Sequence, residues 1–229
     1  MNLYIVSTPI GNLKDITQRA LEILRGVDLI LAEDTRITLK LLNHYQISKP
    51  LLSYHQHSPL KRYQEIKNLL LKNKNIALVC DAGTPGIADP SGQLIQFLTQ
   101  NNIPNLKIIP IPGPSALTAA LSIAGFYADR FLFLGFPPTK NKRRKFFQRV
   151  IQEPETVIIY ESPHRILKTL QDLQRIMEEE KNYRQLVVCK ELTKQFEKIY
   201  RDSIKEILTK LQKEKIRGEW IIILGPAAS

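Results

Sequence analysis

Cysteine is scarce in this sequence: 229 residues contain two, Cys80 and Cys189. Two thiols cannot build a disulfide scaffold, so the fold must rest on an apolar core, and the chain reads as one for a reducing, cytoplasmic compartment. Each cysteine ends an apolar run and reads as a small buried hydrophobe. No uninterrupted apolar run approaches the roughly 18 residues of a membrane span. The opening Met1-Asn2-Leu3-Tyr4-Ile5-Val6 lacks the basic region and long apolar stretch of a signal peptide. Three familiar motifs are also missing. There is no G-x-x-x-x-G-K-[ST] phosphate loop, no G-x-G-x-x-G after a strand and no G-x-S-x-G elbow, which argues against a P-loop nucleotidase, a standard dinucleotide or common Rossmann methyltransferase loop, and an esterase. Histidine is rare, and His55-Gln56-His57 is the only close pair. No cysteine or carboxylate cluster completes it, so no metal site is expected. Internal repeats and low-complexity segments are absent.

What is present is a globular composition, 43% hydrophobic and 24% charged, with a formal net charge of +11. The excess points to an anionic partner, nucleic acid first. It is concentrated. Residues 1–115 hold 12 basic and 8 acidic residues, whereas residues 116–229 hold 21 and 14. Thr139 to Arg149 carries six basic residues and no acidic one, and without them the net charge falls to +5. Such a block reads either as a solvated helix start after Pro137-Pro138 or as a segment that grips phosphates.

Short β-branched runs alternate with longer amphipathic segments. Leu3–Ser7, Leu29–Ala32, Ile76–Cys80, Lys107–Ile111, Phe131–Leu134, Thr156–Tyr160, Leu186–Cys189, Phe196–Tyr200 and Trp220–Leu224 are predicted strands. Ser58-Pro59, Asp89-Pro90 and Ser162-Pro163 read as an N-cap followed by a first-turn proline. Asp15-x-x-Gln18 and Ser203-x-x-Glu206 resemble capping boxes. The alternation predicts an α/β chain with parallel pairing in its first half. A Pro/Gly-rich turn and a small-residue helix near residues 112–130 mark the seam, giving an N-terminal α/β subdomain, 1–115, and a C-terminal one, 116–229.

Open α/β sheets bind ligands beyond the carboxyl ends of their strands. The segments there are Thr8-Pro9-Ile10-Gly11-Asn12-Leu13, Glu33-Asp34-Thr35-Arg36, Asp81 to Pro90, Pro112-Gly113-Pro114-Ser115-Ala116-Leu117, Glu161-Ser162-Pro163-His164-Arg165 and Lys190-Glu191-Leu192-Thr193. Their glycines allow backbone to approach a ligand, and their prolines stiffen the loops.

Taken together and in register from about residue 3 to residue 225, these loops resemble those of the bacterial 16S ribosomal RNA ribose 2′-O-methyltransferases of the I type, within the tetrapyrrole methylase superfamily. The resemblance implies a two-subdomain class III methyltransferase fold, a homodimer, and S-adenosylmethionine in the cleft between the subdomains. It implies as substrate a cytidine 2′-hydroxyl in the decoding region of 16S RNA within the 30S subunit. Cofactor contacts would come from Pro9, Asp81, Gly83, Thr84, Ile87, Ser115, Ala116, Tyr160 and Leu192. Many relatives have glycine where this chain has Ser91, with Gly92 following. Many also continue past the last strand into a helical tail, where this chain reads Gly225-Pro226-Ala227-Ala228-Ser229.

Methyl transfer to a ribose hydroxyl needs alignment and a base to take the proton. The loop carboxylates supply candidates in the order Asp34, Glu161, Glu33 and Glu191. Arg36 and Arg165 are candidates for bidentate phosphate contacts, and Lys142, Arg143, Arg144 and Lys145 for the RNA backbone. For Asp34 with Arg36 and Glu161 with Arg165, local salt bridges are the competing reading. Two other functions compete: a small-molecule, tetrapyrrole-type methyltransferase of the same superfamily, and a non-catalytic RNA-binding module.

Overall fold

Strands form first where β-branched residues run together, and in the N-terminal part they alternate between two apolar faces. The computed structural model describes residues 1–227; Ala228 and Ser229, of the segment Gly225 to Ser229 that follows the last predicted strand, lie outside the described residues. Contacts divide the chain into two units, the first Met1–Ser115 and the second beginning at Ala116.

In the first unit, β1 (Asn2–Val6), α1 (Gln18–Gly26), β2 (Leu29–Ala32), α2 (Thr35–His44), β3 (Leu51–Ser53), α3 (Leu60–Leu71), β4 (Ile76–Val79), α4 (Ser91–Gln100) and β5 (Lys107–Ile111) follow in order. The five strands form one sheet, β3-β2-β4-β1-β5, and every pairing is parallel. A parallel sheet must be covered on both faces, which explains the near-continuous apolar strands. Leu3, Ile76 and Leu78 pack with Ile66 and Leu70 of α3 and Leu94 and Leu98 of α4. Val6, Ala77 and Val79 pack on the opposite face with Ala20 and Leu24 of α1 and Leu42 of α2.

The second unit contains α5 (Ala116–Ala124), β6 (Phe131–Phe133), α6 (Arg143–Gln152), β7 (Thr156–Glu161), α7 (Ile166–Glu180), β8 (Leu186–Lys190), β9 (Lys198–Tyr200), α8 (Ile204–Gln212) and β10 (Trp220–Leu224). Its sheet runs β6-β7-β10-β8-β9. Only β6 and β7 are parallel; the other pairs are antiparallel. One face buries α6, α7 and α8 through Phe147, Val150, Leu170, Leu173, Ile207 and Leu211.

The predicted strands all appear, with ends shifted by a residue or two. Phe196–Tyr200 shortens to Lys198–Tyr200, and Leu51–Ser53 is an additional strand too short to show alternation. The Ser203–Glu206 capping box forms. The other start signals are displaced. Thr17, not Asp15, caps α1. Pro59 and Pro90 occupy the N-cap, because Ser58 Oγ accepts from His55 N–H and Asp89 accepts from Ser91 N–H instead. α7 starts only after a turn in which Ser162 C=O takes both Arg165 and Ile166 N–H. Cys80 and Cys189 are buried, and burial raises both thiols, Cys189 to about 11.

Candidate functional site

The strand order creates one special place in the first sheet. β1 and β4 are neighbours, yet the helix after β1 lies on one face and the helix after β4 on the other. The chain therefore diverges at their carboxyl ends, the position at which open α/β sheets bind ligands.

The loops at this edge are tied together. Thr8 and Gly83 exchange backbone hydrogen bonds of 2.9 and 3.0 Å. Ser7 Oγ and Thr84 Oγ1 lie 3.0 Å apart, and Thr84 Oγ1 donates to Pro114 C=O at 3.0 Å. Thr8 Oγ1 reaches Cys80 C=O. A Cβ on Gly113 would lie 2.9 Å from Ser7 Cβ, so this approach needs glycine. Gly83 has φ +83, and a Cβ there would sit 3.3 Å from Ile10 Cγ2. Asp89 shapes the stretch that holds Ile87 by accepting from Gly86 N–H and Ser91 N–H. Pro9, Asp81, Gly83, Thr84, Ile87 and Ser115 thus belong to one stitched cluster of loops, and Ala116 opens the helix that follows. Ser7, Thr8 and Asp89 were not among the predicted site residues. Their signal was only that they stand within the same motifs.

The four candidate bases separate sharply. Asp34 caps α2 and pairs with Arg36 at 2.6 Å. Arg36, hydrogen-bonded through its side chain and backbone, holds the Asp34 carboxyl at about 2. A carboxylate held that low is a poor proton acceptor. Glu33, next to it, behaves oppositely: burial raises its pKa, and the charge of Asp81 raises it further, against a hydrogen bond from Asp81 N–H. Asp81, which accepts from Asp34 N–H at 2.9 Å, is also raised by burial. Burial thus makes Glu33 the more basic of the two neighbouring carboxylates.

Glu161 is corrected outright. Its side chain is fully buried and takes Ser162 N–H at 2.7 Å, Thr169 Oγ1 at 2.6 Å and Arg165 at 2.8 Å. All three donors are internal, two on Oε1 and one on Oε2, and the side chain is closed to solvent, so it organises the β7–α7 turn. Glu191 likewise accepts from Lys194 and from Glu219 N–H. Burial opposes its ionisation, but these bonds outweigh burial and hold it below the usual range.

Two of the predicted RNA-binding arginines are corrected on the same grounds. Arg143 is 7% exposed and spends its guanidinium on Asp172, Thr169 Oγ1 and Pro138 C=O. Arg165 is held by Glu161 and donates to Pro137 C=O at 2.9 Å. Arg144 is exposed but paired to Glu179, and Arg36 is exposed but forked onto Asp34. Lys142 and Lys145 are exposed. A shallow groove of about 420 Å³ beside α6 includes Lys145 and Arg149, yet also Glu153. Gln148 and Gln152 in that groove are bonded to Glu180, so the groove is not a purely cationic surface. Tyr160 is half-buried and Leu192 is 8% exposed.

Among the described residues, no group of three His, Cys, Asp or Glu side chains is placed to hold a metal ion, and no helix is long and apolar enough to cross a membrane.

Comparison with known proteins completes the description. The family described as Tetrapyrrole (Corrin/Porphyrin) Methylases matches residues 2–208. A Synechocystis protein named Ribosomal RNA small subunit methyltransferase I is 47% identical over 226 residues, spanning 98% of this chain and 79% of its own length. The protein of that name from Thermotoga maritima is 42% identical, spanning 97% of both chains. The one from Escherichia coli O157:H7 is 44% identical, spanning 97% of this chain and 77% of its own. Among solved structures, cobalt precorrin-4 methyltransferase CbiF matches with a TM-score of 0.68 at 17% identity, covering 98% of this chain and 94% of its own. Uroporphyrin III C-methyl transferase from Thermus thermophilus matches with a TM-score of 0.62 at 18% identity, covering 98% and 97%. At such identities the likeness is one of fold.

Proposed function

The chain belongs to the tetrapyrrole (corrin/porphyrin) methylase family, and on that premise we propose that it is an S-adenosylmethionine-dependent methyltransferase of small-subunit ribosomal RNA. The target we assign is the ribose 2′-hydroxyl of a cytidine in the decoding region of 16S RNA within the 30S subunit. The enzyme would act in the cytoplasm as a homodimer. The names of relatives 42–47% identical over nearly the whole chain support the RNA substrate.

One observation carries the chemistry: the stitched β1, β4 and β5 loops at the switch point, beside the half-buried carboxyls of Glu33 and Asp81. These residues fit the cofactor. Backbone and hydroxyl groups suit a polar nucleoside, Gly83 and Gly113 keep the cradle open, and carboxylates favour a cation. S-adenosylmethionine supplies an electrophilic methyl group on a positive sulfur. Pro9, Asp81, Gly83, Thr84, Ile87 and Ser115 would hold and orient it. Glu33 would take the proton from the 2′-hydroxyl as the methyl group passes from sulfur to that oxygen and the neutral thioether leaves, and its raised pKa brings it nearer to the basicity this task needs.

Tritiated methyl transfer tests the reading. Purified 30S particles should become labelled, with the label mapping to a cytidine 2′-oxygen. Label entering only a porphyrinoid substrate would reverse the conclusion in favour of a small-molecule enzyme. Cofactor binding without turnover on either substrate would favour a non-catalytic RNA-binding protein.

A further inference from the structure

We propose that Phe136 is a stacking platform for an unpaired base of the RNA substrate, carried on a loop that the second unit holds rigid. The proposal rests on the RNA-methyltransferase reading above. Phe136, like Phe131 and Phe196 to differing degrees, is exposed, at 52%. It is nevertheless fixed. Its ring stands edge-on to Tyr160 with 5.8 Å between centroids, and Tyr160 is braced in turn by Phe133 at 4.8 Å.

The loop beneath it is clamped at both prolines. Pro137 C=O accepts from Arg165, and Pro138 C=O accepts from Arg143. Each arginine is itself anchored on a carboxylate, Glu161 for the first and Asp172 for the second. Left-handed backbone at Gly135 and Lys142 brackets the segment. The arginines that looked like phosphate ligands are therefore the supports of an exposed aromatic.

Immediately after the platform come Lys140 and Lys142, both exposed. Among the described residues no ion pair engages either of them. An exposed aromatic followed four and six residues later by lysines without an ion pair matches single-stranded RNA: bases stack on the ring while phosphates meet the ammonium groups. A pre-ordered ring also loses little entropy on binding.

Steady-state methyl transfer to 30S particles tests this with Phe136→Ala, Phe136→Leu and Phe136→Trp, alongside calorimetry with S-adenosylmethionine, light scattering and thermal melts. Alanine and leucine should each raise KM for the particles about tenfold or more, and tryptophan should restore it. Cofactor affinity, oligomeric state and melting temperature should stay at wild-type values. Lys140→Ala with Lys142→Ala should flatten the slope of log K against log salt by about 1.4. Wild-type kinetics with leucine would overturn stacking. A parallel loss of cofactor affinity would assign the ring to the cofactor, and a change of oligomeric state would assign it to a second copy; either result refutes the proposal. If the wild-type protein labels no 30S particles, the enzymatic reading fails by itself. The platform is then decided by anisotropy with a cytidine-rich single-stranded RNA: binding weakened by leucine upholds it, and binding indifferent to leucine refutes it.

Discussion

Glu33 and Asp34 are adjacent in sequence, yet their carboxyls are driven in opposite directions. Asp34 lies against the Arg36 guanidinium, whereas Glu33 turns into a half-buried site shared with Asp81. The low value of Asp34 means that its pairing stabilises the loop at neutral pH. That contribution is lost as pH falls from the ordinary carboxylate value of about 4 toward 2. Glu33 has the opposite sign. Its folded pKa is raised, so ionisation works against the fold as pH rises through it, and a base must be ionised to act. The acid limb of the methyl-transfer rate should therefore lie above the usual glutamate range. Glu33→Gln should lower kcat by about 10²-fold or more and abolish that limb while cofactor binding persists. Asp34→Asn should leave the limb in place. Pre-steady-state pH–rate profiles of both variants check this. Sequence showed four carboxylates on strand-end loops, taken in the order Asp34, Glu161, Glu33 and Glu191, without the burial and the hydrogen-bond donors that decide how basic each one is.

At the scale of elements, the basic block divides into inward and outward halves. α6 begins at Arg143, and helical spacing turns Arg143 and Phe147 to the core while Arg144 and Lys145 face out. The Arg143 guanidinium lies 4.8 Å from the Phe147 ring and 2.7 Å from Asp172. Arg143→Ala would leave Asp172, within α7, to Arg175 alone and would remove the donor to Pro138 C=O, and it should cost about 2 kcal/mol or more of unfolding free energy. Lys145→Ala should stay within about 0.5 kcal/mol of wild type. Urea denaturation of the two variants distinguishes them, and equal stabilities would refute the inward role. Charge runs are legible in sequence, but their pairing is not. Asp172 lies 29 positions away from Arg143 and meets it only because α6 and α7 share one face of the second sheet. The Ser203–Glu206 box, by contrast, was legible because it closes within four residues.

For the whole molecule, the switch-point loops and most of the positive charge belong to different units. The first unit presents the switch-point loops, and the second carries most of the positive excess. A ligand that binds only the folded state raises stability by mass action, by about 2.7 kcal/mol at a hundredfold excess over Kd. S-adenosylmethionine should thus raise the melting temperature of the wild-type protein. Gly83→Val, which places a branched side chain at φ +83 against Ile10, should abolish that increment. Differential scanning calorimetry with and without the cofactor measures it. An undiminished increment in the variant would remove Gly83 from the site. The sequence by itself determined the α/β class, the parallel first half and the strand-end loops. Those features follow from residue periodicity and from glycine and proline, whose effects reach only a few residues along the chain. Strand order was decided only in three dimensions, and with it the switch point between β1 and β4. The tertiary structure also committed Arg143, Arg165 and Glu161 to internal clamps, raised Glu33 over Asp34 and left Phe136 displayed. Each of these depends on pairings between residues far apart in the chain, or on burial, which the local pattern does not encode.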